Sequence, residues 1–167
     1  MIMNQTKKWQ LSLFVAILLV VLLTGWVYAA PVAVEKQWLV KGNFQANETF
    51  ELDFATMTMA VDAQGSGTAS HLGRFTYEYQ GTVNLLNGQG LGSAELVAAN
   101  GDRLFAELQG QGTPIEPPDI HRVVETYTVT GGTGRFANAS GSLALDRMVN
   151  TATGVTSGTM SGTIIVP

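Results

Sequence analysis

The sequence predicts an all-β protein, a single eight-stranded antiparallel β-barrel, preceded by an apolar helix that stands apart from it. Three observations carry this prediction. From Trp38 onward, short runs rich in Thr, Val, Phe and Tyr are interrupted at short intervals by Gly, Asn or Asp, the texture of a sandwich or barrel. No window there repeats apolar residues at helical spacing, and the chain's 19 glycines would each weaken a helix interior by about 1 kcal/mol. Finally, the length of 167 residues suits one domain with its own core, and with no cysteine that core has no disulfide framework to help it.

The N-terminus reads as a separate unit. Lys7 and Lys8 precede an apolar run from Leu11 to Ala30, the layout of an export signal over residues 1–30. Val27 and Ala29 place small residues three and one before a cut that would leave Ala30 or Pro31 as the new terminus. The run also approaches the roughly 20 apolar residues that span a bilayer core, so an uncleaved membrane anchor is the second reading. Both put the two lysines inside and the domain outside the cytoplasm, with residues 31–37 as a linker and 38–167 as the barrel. Without Lys7 and Lys8, the chain's 9 Lys+Arg fall to 7 against 13 Asp+Glu, a net charge of −6. That balance argues against nucleic acid as a partner, and makes the membrane a partner only if the N-terminal segment is retained.

The strands follow in order. Trp38–Phe44 and Thr49–Val61 are separated by Gln45-Ala46-Asn47, and Thr68–Val83 ends at the turn signal Asn87-Gly88. Gly90–Ala99 meets Asn100-Gly101-Asp102, a hairpin turn because Asn-Gly tolerates positive φ, and Arg103–Gln109 is its return strand. A proline-bearing loop then runs from Gly112 through Pro114, Pro117 and Pro118 to Asp119. The sixth strand runs from Ile120 to Val129, the seventh from Ser142 to Val149, and the eighth from Val155 to Val166 after the turn Asn150–Gly154.

Alternation along these strands assigns faces. His71, Gly73, Phe75, Tyr77, Tyr79 and Val83 share one face, which points inward, and His121, Val123, Glu125, Tyr127 and Val129 share another. Phe50, Leu52 and Phe54 are in phase with each other but out of phase with Met57, Met59 and Val61, which predicts a bulge near Ala55 and Thr56.

Gly132-x-Gly134-x-x-Ala137 after a strand matches the G-x-G-x-x-A dinucleotide fingerprint. That chemistry requires a helix to follow, and Ser140-Gly141-Ser142 would break one. The segment reads instead as a glycine-rich strand connection that returns Phe136 to the core. Thr128-Val129-Thr130-Gly131-Gly132-Thr133-Gly134-Arg135-Phe136, followed by Ala139 and Gly141, resembles the Gly-Gly-Thr-Gly-x-Phe turn of the dirigent and allene oxide cyclase superfamily. Ala69-Ser70-His71-Leu72-Gly73-Arg74-Phe75 resembles a segment of uncharacterised secreted bacterial proteins of that barrel type. The resemblance implies an allene oxide cyclase/dirigent-like barrel with an interior cavity, in which plant members steer reactive intermediates. It transfers no catalytic residue, because the plant cavity carboxylates and arginines find no residue-by-residue match.

Chemistry-bearing residues are few. His71 and His121 have no second ligand at metal-binding spacing, no cofactor motif survives, and neither a Gly-x-Ser-x-Gly elbow nor a thiol nucleophile is available. Arg74, Arg103, Arg122, Arg135 and Arg147 are scattered, which reads as local ion pairs or solvated faces. Asn47-Glu48-Thr49 and Asn138-Ala139-Ser140 fit the glycosylation sequon.

The expectation is therefore a secreted or membrane-anchored barrel that binds a small, largely apolar molecule, a binding protein rather than an enzyme. His71, Phe75, Tyr77, Tyr79, His121, Glu125 and Tyr127 are its candidate cavity residues, with Phe50 and Phe54 as further lining or filling. Two alternatives stand beside it: a cyclase- or isomerase-like enzyme in which Glu125 or a histidine moves a proton, and a barrel packed solid for a structural or interaction role.

Overall fold

The computed structural model describes residues 34–167, so the expected signal or anchor over 1–30 lies outside the described residues. Eight strands form the domain: β1 (Lys36–Asp53), β2 (Thr58–Ala69), β3 (Gly73–Asn84), β4 (Gln89–Ala98), β5 (Arg103–Ile115), β6 (Ile120–Gly132), β7 (Ser140–Asn150) and β8 (Val155–Val166). Each pairs antiparallel with its successor, and β8 returns to β1 to close the barrel.

Three boundaries differ from the sequence reading. Gln45-Ala46-Asn47 lies in the middle of β1, where both edges are paired: Ala46 faces Gly65 of β2 and Thr156 of β8. Nothing in that tripeptide supplies a positive φ, and the chain turns instead at Asp53, whose carboxylate accepts the amides of Ala55 (2.8 Å) and Thr56 (3.4 Å). The turn replaces the expected bulge and explains the phase change, because Leu52 pairs with Met59 and Phe50 with Val61, so both pairs share the inner face. A register shift does occur, at Phe105/Ala106 of β5 against β6. Gly112-Thr113-Pro114 extends β5, and the loop shrinks to Glu116–Asp119. Thr68 and Ala69 close β2 rather than opening β3, which places His71 in the intervening turn with φ +65°.

Strand alternation then builds the interior. Val40, Phe44, Ala46 and Glu48 of β1, Phe75, Tyr77 and Tyr79 of β3, and Leu143, Leu145, Arg147 and Val149 of β7 all point in and are buried. The end of the barrel where β1 begins is packed solid around Leu72, Leu104, Phe136, Leu143 and Ile164, each at most 2% exposed. Phe136 reaches this plug through the glycine-rich connection, which forms a short 3-10 turn at Gly134–Phe136 between β6 and β7. Gly134 has φ +56°, which favours glycine, and a Cβ there would also force the Asp102 carboxylate to move.

Large inward side chains are accommodated by glycine on the neighbouring strand. Arg147 pairs with Gly158 of β8, and Glu125 of β6 pairs with Gly110 of β5. A Cβ at Gly158 would lie 2.5 Å from both the Arg147 Cβ and the Asp146 carbonyl oxygen. Gly158→Ala is therefore expected to destabilise the fold by about 1–3 kcal/mol, read as a lower urea midpoint at unchanged slope. An unchanged midpoint would show that β7 and β8 have room to move apart.

Candidate functional site

At the opposite end the barrel is hollow. A cavity of about 750 Å³ opens between the turns that follow β1, β3, β5 and β7. Its walls are apolar, from Phe50, Met59, Val61, Val83, Val123 and Val149, and its floor carries Glu48, Tyr79, Glu125 and Arg147. Leu86 and Phe54 stand on the turns at this end, 75% and 72% exposed. The polar rim includes Asn84, Gln111, Thr113 and His121.

The floor is a buried ion cluster assembled from β1, β6 and β7. Arg147 donates from Nε to Glu125 Oε2 (2.9 Å) and from Nη2 to Glu125 Oε1 (3.0 Å), a bidentate pair. Its Nη1 donates to Glu48 Oε1 and to the Thr156 hydroxyl (3.2 Å), which in turn donates to the Met148 carbonyl (3.0 Å). The side chains of Glu48 and Glu125 are each 3% exposed and that of Arg147 5%. Burial works against the charge on Arg147, but its bonds to Glu125 and the charges of Glu125 and Glu48 outweigh it and raise its pKa. Burial pushes the Glu48 carboxyl above its ordinary value, against the opposing pull of Arg147. Tyr79 lies beneath the guanidinium, whose carbon is 6.0 Å from the ring centre, and burial with the nearby Glu125 charge pushes its hydroxyl up to about 12. It stays a neutral hydrogen-bonding group at physiological pH.

The residues expected in the cavity divide into three groups. Tyr79, His121 and Glu125 line it. His121 stands at the mouth, half-buried, and its buried Nδ1 has no hydrogen-bond partner among the described residues. Phe75, Tyr77 and Tyr127 point inward but belong to the packed half beneath the floor. There the Tyr77 and Tyr127 hydroxyls bond to each other at 2.6 Å, and burial raises both pKa values. His71 is outside the cavity, on the β2–β3 turn at the closed end, where it is exposed and stacks on Trp38 with ring centres 5.2 Å apart. Shared parity assigned it to the inward face, but it lies two residues before β3 begins at Gly73, where strand alternation does not apply, and the strand from Gly73 to Tyr79 rises roughly 20 Å. Phe54 is likewise displaced, since it sits in the Asp53 turn and faces solvent.

Glu48 and Arg147 were missed. Arg147 is not one of the solvated or locally paired surface arginines but the centre of the cluster. Its signal was a charge on the otherwise apolar face Leu143, Leu145, Val149. Glu48 continues the inward series Phe44, Ala46, but the turn expected at Gln45–Asn47 hid that series. Among the described residues no three His, Cys, Asp or Glu side chains are grouped to hold a metal ion.

The closed eight-stranded antiparallel barrel is a dirigent-like fold. Among solved structures, the chain is similar to that of the pterocarpan synthase dirigent protein GePTS1. The two are 14% identical, the match covers 86% of this chain and 98% of that one, and the TM-score is 0.55. At that identity the likeness is one of fold. No sequence-family model and no curated protein matches the chain.

Proposed function

We propose that this protein binds one small, largely apolar molecule in the hollow half of its barrel, and that it does so outside the cytoplasm. The supporting observation is the cavity of about 750 Å³, within the size range of small-molecule sites, with apolar walls and a few convergent polar groups at its floor. The extracytoplasmic placement rests on Lys7, Lys8 and the apolar run to Ala30. N-terminal sequencing of protein from its own host tests that placement, and a terminus retained at Met1 in a cytoplasmic fraction would overturn it.

The binding reading predicts saturable, one-to-one uptake of N-phenyl-1-naphthylamine, a neutral apolar fluorophore. Val123→Trp fills the wall of the cavity and is expected to weaken that uptake at least tenfold while the barrel still unfolds cooperatively. Equal uptake by the folded variant would place the probe elsewhere, and no saturable uptake by the parent protein would end the proposal.

A second reading, a cavity that guides a cyclisation, is favoured by the carboxyl and phenol groups at the floor. There Glu48 is a better proton carrier than Glu125, both of whose oxygens Arg147 occupies. A host ligand retained in native mass spectrometry and then converted to an isomer on incubation would select this reading over simple binding.

A further inference from the structure

The floor of the cavity holds two carboxylates and one guanidinium, and the guanidinium is used up. Of the five N–H donors of Arg147, two go to Glu125 and Nη1 serves Glu48 and Thr156, so no more than one N–H is left for a ligand. Glu48 is the member left short. Arg147 holds its Oε1, and the other side chain against this carboxyl is the neutral Thr156 hydroxyl, which donates to the Met148 carbonyl at 3.0 Å and brings no counter-charge. Glu48 lines the cavity, so its carboxyl borders the hollow side. With both carboxylates ionised the floor carries one uncompensated negative charge at the bottom of an apolar cup.

From this geometry we infer that the ligand class is an apolar body bearing a cationic head, a primary amine or amidinium that enters head first and pairs with Glu48. The inference rests on the cavity-binding reading above. A buried carboxylate without a full counter-charge is costly, and a cation delivered into the same low-dielectric site removes that cost while the apolar body covers Phe50, Val83 and Val123. An anionic head meets the opposite situation: a second negative charge, with the one guanidinium already engaged. A neutral hydroxyl head gains a hydrogen bond but leaves the charge unbalanced. The mouth carries one basic side chain, the His121 imidazole, and neither lysine nor arginine lines it: Arg122, its neighbour in sequence, points outward and is paired with Asp146 at 2.6 Å.

Three probes with one ring system separate the possibilities: 1-naphthylmethylamine, 1-naphthylmethanol and 1-naphthoate, titrated calorimetrically into the protein at neutral pH. The expected order is amine, then alcohol at least tenfold weaker, then carboxylate weakest. Amine no tighter than alcohol, or carboxylate tightest, overturns the cationic assignment while N-phenyl-1-naphthylamine still reports a working cavity. Failure of all four probes overturns the cavity reading itself. In Glu48→Gln the amine-to-alcohol ratio is expected to fall towards one, and a folded variant that keeps the parent ratio shows that Glu48 does not hold the head. The probe series on the parent protein decides the inference even if that variant does not fold.

Discussion

Replacing Arg147 with Met is expected to destabilise the barrel by about 3–5 kcal/mol at neutral pH, because it leaves Glu48 and Glu125 buried without a counter-ion. The loss should depend on pH with a definite sign. Glu48, already raised by burial, then loses the opposing pull of Arg147 and titrates further above its ordinary value in the folded state, so the folded protein holds a proton that the unfolded chain has released. Stability therefore falls as pH rises from the ordinary carboxyl range through the raised folded value, and is recovered as pH falls back. The gap between Arg147→Met and the parent should accordingly be smaller near about pH 5 than near about pH 7. The parent protein carries a weaker form of the same slope through Glu48, whose carboxyl is already raised by burial. Urea titrations of both proteins across this range provide the check. A deficit of equal size at both ends would mean that lost packing, and not uncompensated charge, sets the cost. Adding Glu48→Gln and Glu125→Gln to Arg147→Met removes the orphaned charges and should recover a large part of the stability, as replacement of whole buried ion clusters can.

Phe136→Ala should cost a similar amount, about 3–5 kcal/mol, for a different reason. Phe136 has 0% exposure, meets the Trp38 ring edge-on with centres 6.0 Å apart, and carries the Arg135 guanidinium 4.9 Å from its ring centre. Truncation opens a void in the plug, which the short turn Gly134–Phe136 holds in place and which has no slack to refill it. The plug lies at the end of the barrel away from the cavity, so N-phenyl-1-naphthylamine uptake by the folded fraction should stay within about twofold of the parent, as separated sites behave independently. A large loss of uptake in still-folded protein would show that the two ends of the barrel are mechanically coupled.

Much of the barrel was legible because its signals are local. Asn87-Gly88 and Asn100-Gly101 do form turns, with Gly88 at φ +71° and Gly101 at φ +88°. Alternation placed Tyr77 and Tyr79 on the inner face and grouped Glu125 with Tyr127 on one face of β6, which the structure turns inward, and all four are buried. The misplaced turn at Gln45–Asn47 had a definite cost, since it broke the alternation that would have marked Glu48 as a buried charge. Asp53, the residue that does turn the chain, acts through its side-chain hydrogen bonds and without an adjacent glycine, a weaker signal in sequence than Asn-Gly.

By itself, then, the sequence determined the class, the number of strands and most of the inward side chains, because strand period and turn chemistry depend on neighbouring residues. The tertiary structure decided the height at which each inward residue sits, and with it which half of the barrel is filled. Strand tilt and stagger set that height, and they belong to the closed barrel as a whole. They carry His71 to one end and His121 to the other, and they bring Glu48 within hydrogen-bonding distance of Arg147, 99 residues further along the chain. Likewise, a cavity forms where the interior side chains of eight strands sum to too little volume, with Gly90, Gly110 and Gly112 facing in on β4 and β5. That sum is taken across strands far apart in sequence.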